Sequence, residues 1–250
     1  MIGNLLPKRP DTSAQKFDFR LRGSDLRQSA LRLIAEQVNA ATGLTILIGG
    51  PGCSGKTVFA RQVGEMLNLR GAATTILPLD CYLRERALRR TADGMISGYN
   101  PAAYTLTPAV ADIGALKAGR SVYVAEYNQS NGFKYPAFEL EPATNLIVEG
   151  SMALSDAILP LGDFRVFLDA SEPVLRENRK RRETGLGISA QETEWKYKFL
   201  EQDYAKYIAP QRRHAMLSAE IDEKYRFIKL DGYNMFSLAQ VAATPRAGRI

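Results

Sequence analysis

Hydrophobic positions along the chain alternate between short continuous runs and stripes at helical spacing. Leu44–Gly49 is an unbroken apolar run too short for a buried helix, so it predicts a core strand. Before it, Leu26, Ala30, Leu33, Ile34 and Val38 recur at helical spacing. With Ser24 as cap they predict a helix to about Ala41. A second helix is expected from Lys56 to about Arg70, ended by Gly71, which suits the left-handed backbone of a helix terminus. Thr74–Leu79 predicts another strand with Asp80 at its C-terminal end. Pro108 opens a helix to about Lys117. Val122–Ala125, Leu146–Val148 and Arg165–Leu168 read as buried strands, the first two separated by a polar loop at Asn128–Tyr135. Pro173–Arg182 and a longer segment holding Trp195, Phe199 and Tyr204 predict helices, with a hinge at Gly185–Ser189. Arg226–Leu230 is a last strand, and a loose tail begins at Thr244. Strands alternating with helices imply an α/β fold, a parallel sheet of about five strands covered on both faces.

Composition narrows this little. The 250 residues are 45% hydrophobic and 24% charged, which suits a globular protein with a sizeable core. No apolar run is long enough to cross a bilayer, and Met1–Ser13 lacks the apolar core of an export signal. Cys53 and Cys81 are the only cysteines, too few for a disulfide framework, and with one histidine they leave little for a zinc site. A cytoplasmic protein without a membrane partner is expected. The net charge of +6 comes with two basic clusters, one at Arg84, Arg86, Arg89 and Arg90, the other at Arg176, Arg179, Lys180, Arg181 and Arg182. Neither is interleaved with aromatic residues, so phosphate handling fits them better than nucleic-acid binding.

The most specific signal follows the first strand. Gly50-Pro51-Gly52-Cys53-Ser54-Gly55-Lys56-Thr57 fits G-x-x-x-x-G-K-[ST] at every fixed position. Glycines let the backbone N–H groups curl around a polyphosphate. Lys56 adds a mobile charge for its outer phosphates, and the Thr57 hydroxyl can hold Mg²⁺. A nucleoside triphosphate, ATP or another, is therefore the expected cofactor, with Mg²⁺. In a parallel sheet ligands sit beyond the C-terminal strand ends, where Asp80, Glu126-Tyr127, Glu149 and Asp169 are also expected. Asp80 is the candidate general base. Glu149, at the end of Leu146–Glu149, joins Thr57 as a candidate metal ligand. The arginines of Arg179–Arg182, followed by Gly185 and Gly187, look like a hinged lid over the phosphates.

An ordered set of segments from about Leu44 to Pro210 resembles the uridine kinase and phosphoribulokinase group of P-loop kinases, which includes pantothenate kinase. These segments are GGPGCSGKT, LDCYL, YNPAAY, LIVEG, VFLDASEPVLRENRKRRE and YAKYIAP. The resemblance implies a P-loop NTPase fold with a lid at about 176–192 in a kinase domain over 44–232. Outside it, the polar, Pro-containing Met1–Gly23 reads as a surface arm within an N-terminal arm and helix over 1–43, and a C-terminal helix and tail are expected over 233–250. The resemblance makes Asp80 the catalytic base and places Arg179 and Arg182, with Lys56, at the transferred phosphate. Tyr82, Arg84, Tyr99, Asn100, Tyr127 and Glu149 fall on the acceptor side with Asp80. Cys53 occupies a place similar to that of a cysteine by which some phosphoribulokinases are switched by oxidation. Two small residues without redox role are the simpler reading of Cys53 and Cys81.

The departures concern the acceptor. Uridine kinases have an acidic-His-Pro stretch where this chain has Tyr99-Asn100-Pro101, and Tyr-Asp-Phe where it has Tyr127-Asn128-Gln129. A site built to hydrogen-bond one polar substrate rejects analogues strongly, so uridine is not expected to carry over. The expected activity is transfer of a γ-phosphate to an alcohol group of a small molecule: a nucleoside, a sugar or sugar phosphate, or a pantothenate-like compound. The alternative is a regulatory or nucleic-acid-associated P-loop NTPase with little small-molecule kinase activity. Self-association is left open.

Overall fold

Residues Thr45–Gly49 are buried at every position, which requires neighbours on both edges and cover on both faces. The computed structural model describes residues 17–22, 25–39, 43–92 and 94–235. In chain order its strands are β1 (Phe17–Arg22), β2 (Thr45–Gly49), β3 (Thr74–Pro78), β4 (Arg90–Thr91), β5 (Gly94–Met95) and β6 (Val122–Tyr127). They continue with β7 (Lys134–Leu140), β8 (Asn145–Glu149), β9 (Phe164–Ala170), β10 (Leu217–Ile221) and β11 (Phe227–Met235). The α-helices are α1 (Leu26–Asn39), α2 (Lys56–Leu69), α3 (Leu106–Lys117), α4 (Glu172–Gly185) and α5 (Ala190–Asp203). Seven strands form one sheet in the order β1-β11-β10-β9-β2-β8-β3. The five from β10 to β3 are parallel, and β11 and β1 extend them antiparallel.

Alternation along β2 divides the interior into two cores. Ile46 and Ile48 join Leu33 and Ile34 of α1 and Phe59 and Val63 of α2 on one face. Leu47 points the other way, to Ile113 of α3, Phe167 and Leu154. A parallel α/β sheet with helices on both faces is therefore present.

Several strands differ from expectation. Residues 17–22 belong to the sheet rather than to a surface arm: β1 pairs with β11, and Arg20 Nε donates to Asp231 Oδ1 at 3.0 Å. A strand whose partner lies over two hundred residues away leaves no local signal. Val122–Ala125 is part of β6, which is outside the main sheet and pairs only with β7 in a separate two-stranded ribbon. Val122, Val124 and Tyr127 are buried while Tyr123 is exposed, so only one face of the ribbon is covered. The expected polar loop at Asn128–Tyr135 is the ribbon's turn and the start of β7. Strand β10, with Ser218 and Glu220 among its five residues, was too polar to read as a core strand.

Helix α5 ends at Asp203. A π turn over Tyr204–Ile208 and a 3₁₀ turn over Ala209–His214 follow it, around Pro210, which has no N–H to continue a helix. Residues 233–235 close β11 instead of opening a C-terminal helix. Ser24, Ala41 and the tail from Thr244 lie outside the described residues. Among those described, no helix is long and apolar enough to cross a membrane.

Gly50, at φ +134°, carries the chain out of β2 against β9: a Cβ there would lie 2.0 Å from the Leu168 carbonyl oxygen. Gly50→Ala is expected to cost about 3 kcal/mol or more, as backbone strain adds to overpacking. Urea unfolding measures this, and an unchanged midpoint would contradict the close approach.

Candidate functional site

The phosphate-loop segment leaves β2 at Gly49 and enters α2 at Lys56 through two left-handed residues, Cys53 (φ +67°) and Gly55 (φ +81°). The loop is tied across itself. Ser54 Oγ and Lys56 Nζ both donate to the Pro51 carbonyl, at 2.8 and 2.7 Å. Strand register puts β8 beside β2 with Glu149 opposite Ile48, and Thr57 Oγ1 donates to Glu149 Oε1 at 2.9 Å. Burial holds the Lys56 ammonium below its ordinary pKa and the Glu149 carboxyl above its own, while their opposite charges resist both shifts.

A hydroxyl and a carboxylate oxygen side by side at a phosphate loop are hard donors of the kind Mg²⁺ takes. That ion also uses substrate phosphates and water and needs no all-protein cage. Among the described residues no group of three or more His, Cys, Asp or Glu converges, so such a partial site is what the chain offers.

Lys56, Thr57 and Glu149 line a cavity of about 340 Å³. A second cavity of about 110 Å³ adjoins it. Gly52, Asp80, Ser151 and Arg182 line both, so one carboxylate and one guanidinium face the boundary between the two spaces. Asp80 sits on the 3₁₀ turn that follows β3, and its Oδ2 accepts from Gln129 Nε2 at 2.7 Å. Gln129 belongs to the β6–β7 turn. That turn is latched by Arg86, which donates to the Gln129 and Ser130 carbonyls at 2.6 and 3.1 Å.

The smaller cavity is strongly cationic. Arg86, Arg89, Arg179, Arg182 and Lys196 line it against Asp80 and Glu183. Two of these cations have buried carboxylate partners: Arg179 Nη1 is 3.4 Å from Glu183 Oε1, and Lys196 Nζ is 4.0 Å from Glu183 Oε2. Arg179 Nη2 also donates to Tyr99 Oη at 2.9 Å. Arg89, only 5% exposed, differs. Its guanidinium donates to Tyr127 Oη at 2.7 Å, to the Arg84 carbonyl at 3.1 Å and to the Ile96 carbonyl at 3.4 Å, all neutral oxygens.

The remaining residues singled out from the sequence are placed as follows. Tyr99 and Tyr127 line the smaller cavity. Tyr82 is buried and donates to Asp112 Oδ2 on α3 at 2.7 Å. Arg84 is exposed, and its neighbour Arg89 takes the cavity position. Asn100 caps the turn after it through Ala102 N at 3.0 Å. Glu126 is exposed on the ribbon. Asp169 is drawn to Tyr204 Oη at 3.1 Å and to Arg212 at 3.6 Å, so it does not join the other carboxylates at the loop. Asn128 organises the ribbon turn, its Oδ1 accepting from Ser130 N at 2.9 Å. Gln129, noted in the sequence only as a departure from the uridine kinase motif, reaches Asp80; Arg27, Ser151, Lys196 and Tyr225 sit in no sequence pattern that marks a site.

With the loop, the paired cavities and Asp80 between them established, a family model decides the classification: the phosphoribulokinase / uridine kinase family matches residues 45–221. The chain belongs to that family. It is 27% identical over 205 residues to the chloroplastic phosphoribulokinase of Spinacia oleracea, covering 71% of this chain and 48% of that protein. The chain thus spans about half the length of that relative. It is 26% identical over 164 residues to a uridine kinase of Mycoplasma pneumoniae, covering 64% of this chain and 76% of that one. The D-glycerate 3-kinase of Cryptococcus neoformans shares the fold with a TM-score of 0.64 at 11% identity, over 84% of this chain and 100% of that one. The family match leaves out β1, α1 and β11.

The two cysteines differ in exposure. Cys81 is buried, and burial with the nearby Asp80 charge pushes its thiol up to about 11. Cys53 is half-buried on the phosphate loop. At pH 8 the folded protein is expected to take one iodoacetamide label, on Cys53. Cys81 should react about a hundredfold more slowly than a free thiol, since the thiolate is the nucleophile. Peptide mass mapping reads this directly, and fast labelling of Cys81 would contradict its burial.

Proposed function

We propose that the chain transfers the γ-phosphate of ATP, with Mg²⁺, to a hydroxyl of a small anionic acceptor such as a hydroxy acid or a sugar phosphate. The observation that carries this is the pair of adjoining cavities with Asp80 and Arg182 on their shared wall. Phosphoryl transfer needs donor and acceptor held in line, a carboxylate near the acceptor oxygen and cations around the transferred group. The phosphate-loop cavity would seat the triphosphate, with Lys56 beside its outer phosphates; Thr57 and Glu149 would hold Mg²⁺, which when bound would offset phosphate charge. The acceptor oxygen attacks the γ-phosphorus, its bond to the β-phosphate oxygen breaks, and Asp80 accepts the acceptor's proton as ADP leaves. Gln129 fixes one Asp80 oxygen, leaving the other for that proton. Arg179 and Arg182 stabilise the charge on the moving phosphoryl group.

Two properties of the second cavity select the acceptor. Its five cations against two carboxylates favour an anion. At about 110 Å³ it is small beside the roughly 300–1,000 Å³ of pockets that enclose larger ligands, so a three- to five-carbon acceptor fits better than a nucleoside. Arg89, buried among neutral oxygens, is the natural partner for the acceptor's anionic group.

The test is an ADP-release screen over hydroxy acids, sugar phosphates, uridine and cytidine, with products identified by mass. Anionic acceptors are expected to be the substrates, with an apparent affinity that falls as salt screens the charges. Efficient, salt-insensitive phosphorylation of uridine would overturn the assignment. On the acceptor found, Asp80→Asn is expected to lower turnover about a hundredfold or more while nucleotide affinity holds. Arg89→Met should raise the acceptor KM about tenfold or more with the ATP KM unchanged, the scale of one charge-assisted hydrogen bond. Near-normal turnover by Asp80→Asn would move the base to another carboxylate.

A further inference from the structure

Two side chains reach the phosphate-loop cavity from outside the family-matched segment, Arg27 of α1 and Tyr225 of the β10–β11 turn. Both also line a neighbouring open groove with Phe227 and Ile228, so the two spaces meet along them. The Tyr225 ring lies against the start of α2, where a Cβ on Gly55 would sit 3.3 Å from Tyr225 Cδ1.

The backbone here is unusual. Among the described residues only Asp25, Cys53 and Tyr225 have positive φ without being glycine, and all three line this cavity or this groove. A tyrosine at φ +59° carries a cost that persists only where surrounding contacts over-determine it, a condition met mostly at ligand sites. Those contacts are present. Tyr225 N donates to the Asp222 carbonyl at 3.0 Å, and Asp222 Oδ1 accepts from Lys224 N and Arg226 N at 3.0 and 2.9 Å. Arg181 of α4 donates to the Glu223 carbonyl at 2.6 Å. Arg27 is equally fixed. Its guanidinium lies 4.7 Å from the Phe227 ring centroid, and it donates to Gln62 Oε1 at 2.9 Å and to the Tyr225 carbonyl. Those two bonds use two of its five N–H groups.

We propose that Tyr225 and Arg27 form the seat of the nucleotide's base, Tyr225 offering a stacking face and Arg27 donors to a purine edge. The assignment rests on the phosphate loop holding the nucleotide's phosphates. From that loop the base reaches the ring that packs on Gly55. A guanidinium only donates, and both purines present acceptors on the N7 edge. Uracil offers carbonyl acceptors too, so the preference for purines comes from the larger area a two-ring base stacks on Tyr225, and adenine is separated from guanine weakly.

Calorimetry with ADP, GDP, UDP and tripolyphosphate in Mg²⁺ buffer tests this without knowledge of the acceptor. The variants are Tyr225→Gly, which keeps the left-handed backbone while removing the ring, and Tyr225→Phe, which keeps the ring. The wild type is expected to bind ADP and GDP similarly and UDP more weakly. Tyr225→Gly should lose about tenfold in ADP and GDP affinity, the scale of one stacked base, with tripolyphosphate affinity unchanged; Tyr225→Phe should match the wild type. ADP binding by Tyr225→Gly at wild-type affinity would overturn the base seat. An equal loss for tripolyphosphate would also overturn it, by showing that the ring only supports the loop. A wild type that binds neither ADP nor tripolyphosphate would overturn the nucleotide reading itself, and the base seat with it.

Discussion

The candidate site depends on a backbone crossing that leaves no room for a side chain. Where β2 ends, Gly50 passes over the Leu168 carbonyl of β9 at a separation that a Cβ would reduce to 2.0 Å. That contact fixes the phosphate loop to the sheet, and the strand order then sets its company. On the other flank of β2 lies β8, whose register puts Glu149 beside Ile48. Beyond it, β3 pairs Pro78 with Glu149, so Asp80 emerges two residues past the sheet edge. The loop, Glu149 and the candidate base are therefore ordered by parallel pairing. The first residues of α2 then add Lys56 and Thr57 to that edge.

Helix α4 ties this frame to the rest of the site through closely spaced arginines. Arg179 bonds Tyr99, whose hydroxyl lies 3.4 Å from the Gly52 carbonyl of the phosphate loop. Arg181 holds the β10–β11 turn through Glu223, and Arg182 lines both cavities. Behind them the buried cluster of Arg179, Glu183 and Lys196 joins α4 to α5. Buried ion pairs of this kind add little net stability, because desolvation consumes most of their attraction. Their effect here is geometric: α4 and α5 are held in one relative position, and with them the guanidinium groups that face the cavities.

How much of this was legible in the sequence depended on the range of the interaction. The phosphate loop, Asp80 and Glu149 announce themselves locally, because a glycine-rich turn after an apolar run and carboxylates at strand ends are short-range patterns. Strand β1 pairs across two hundred residues, and β6 pairs with β7 instead of the main sheet, so neither the edge of the sheet nor the ribbon could be read from periodicity. The basic segment after Asp80 was visible as a cluster but not as geometry. Nothing in Arg84–Arg90 says which guanidinium turns inward; the 3₁₀ turn at Arg86–Arg89 buries Arg89 and leaves Arg84 in solvent. Tyr225 carried no signal at all, since its left-handed backbone comes from the Asp222 turn and not from its own preference.

The uneven distribution of charge compensation is itself informative. Taking a guanidinium out of water is costly unless an opposite charge or a full set of acceptors replaces the lost hydration. Arg179 meets that condition within the protein, through Glu183 and Tyr99. Arg89 meets only half of it among the described residues: three neutral oxygens satisfy N–H groups, and no carboxylate pairs with the charge. Selection for stability alone would favour an uncharged side chain at such a position. A buried cation without a counter-charge among the described residues, at the wall of a cavity and a few residues beyond the candidate base, makes chemical sense when the balancing anion arrives with the substrate. On that reading the same guanidinium would reject neutral acceptors, because seating them would leave its charge buried and unpaired. On the proposed function, discrimination would thus come from a charge the described residues leave uncompensated, not from an additional contact to the preferred acceptor.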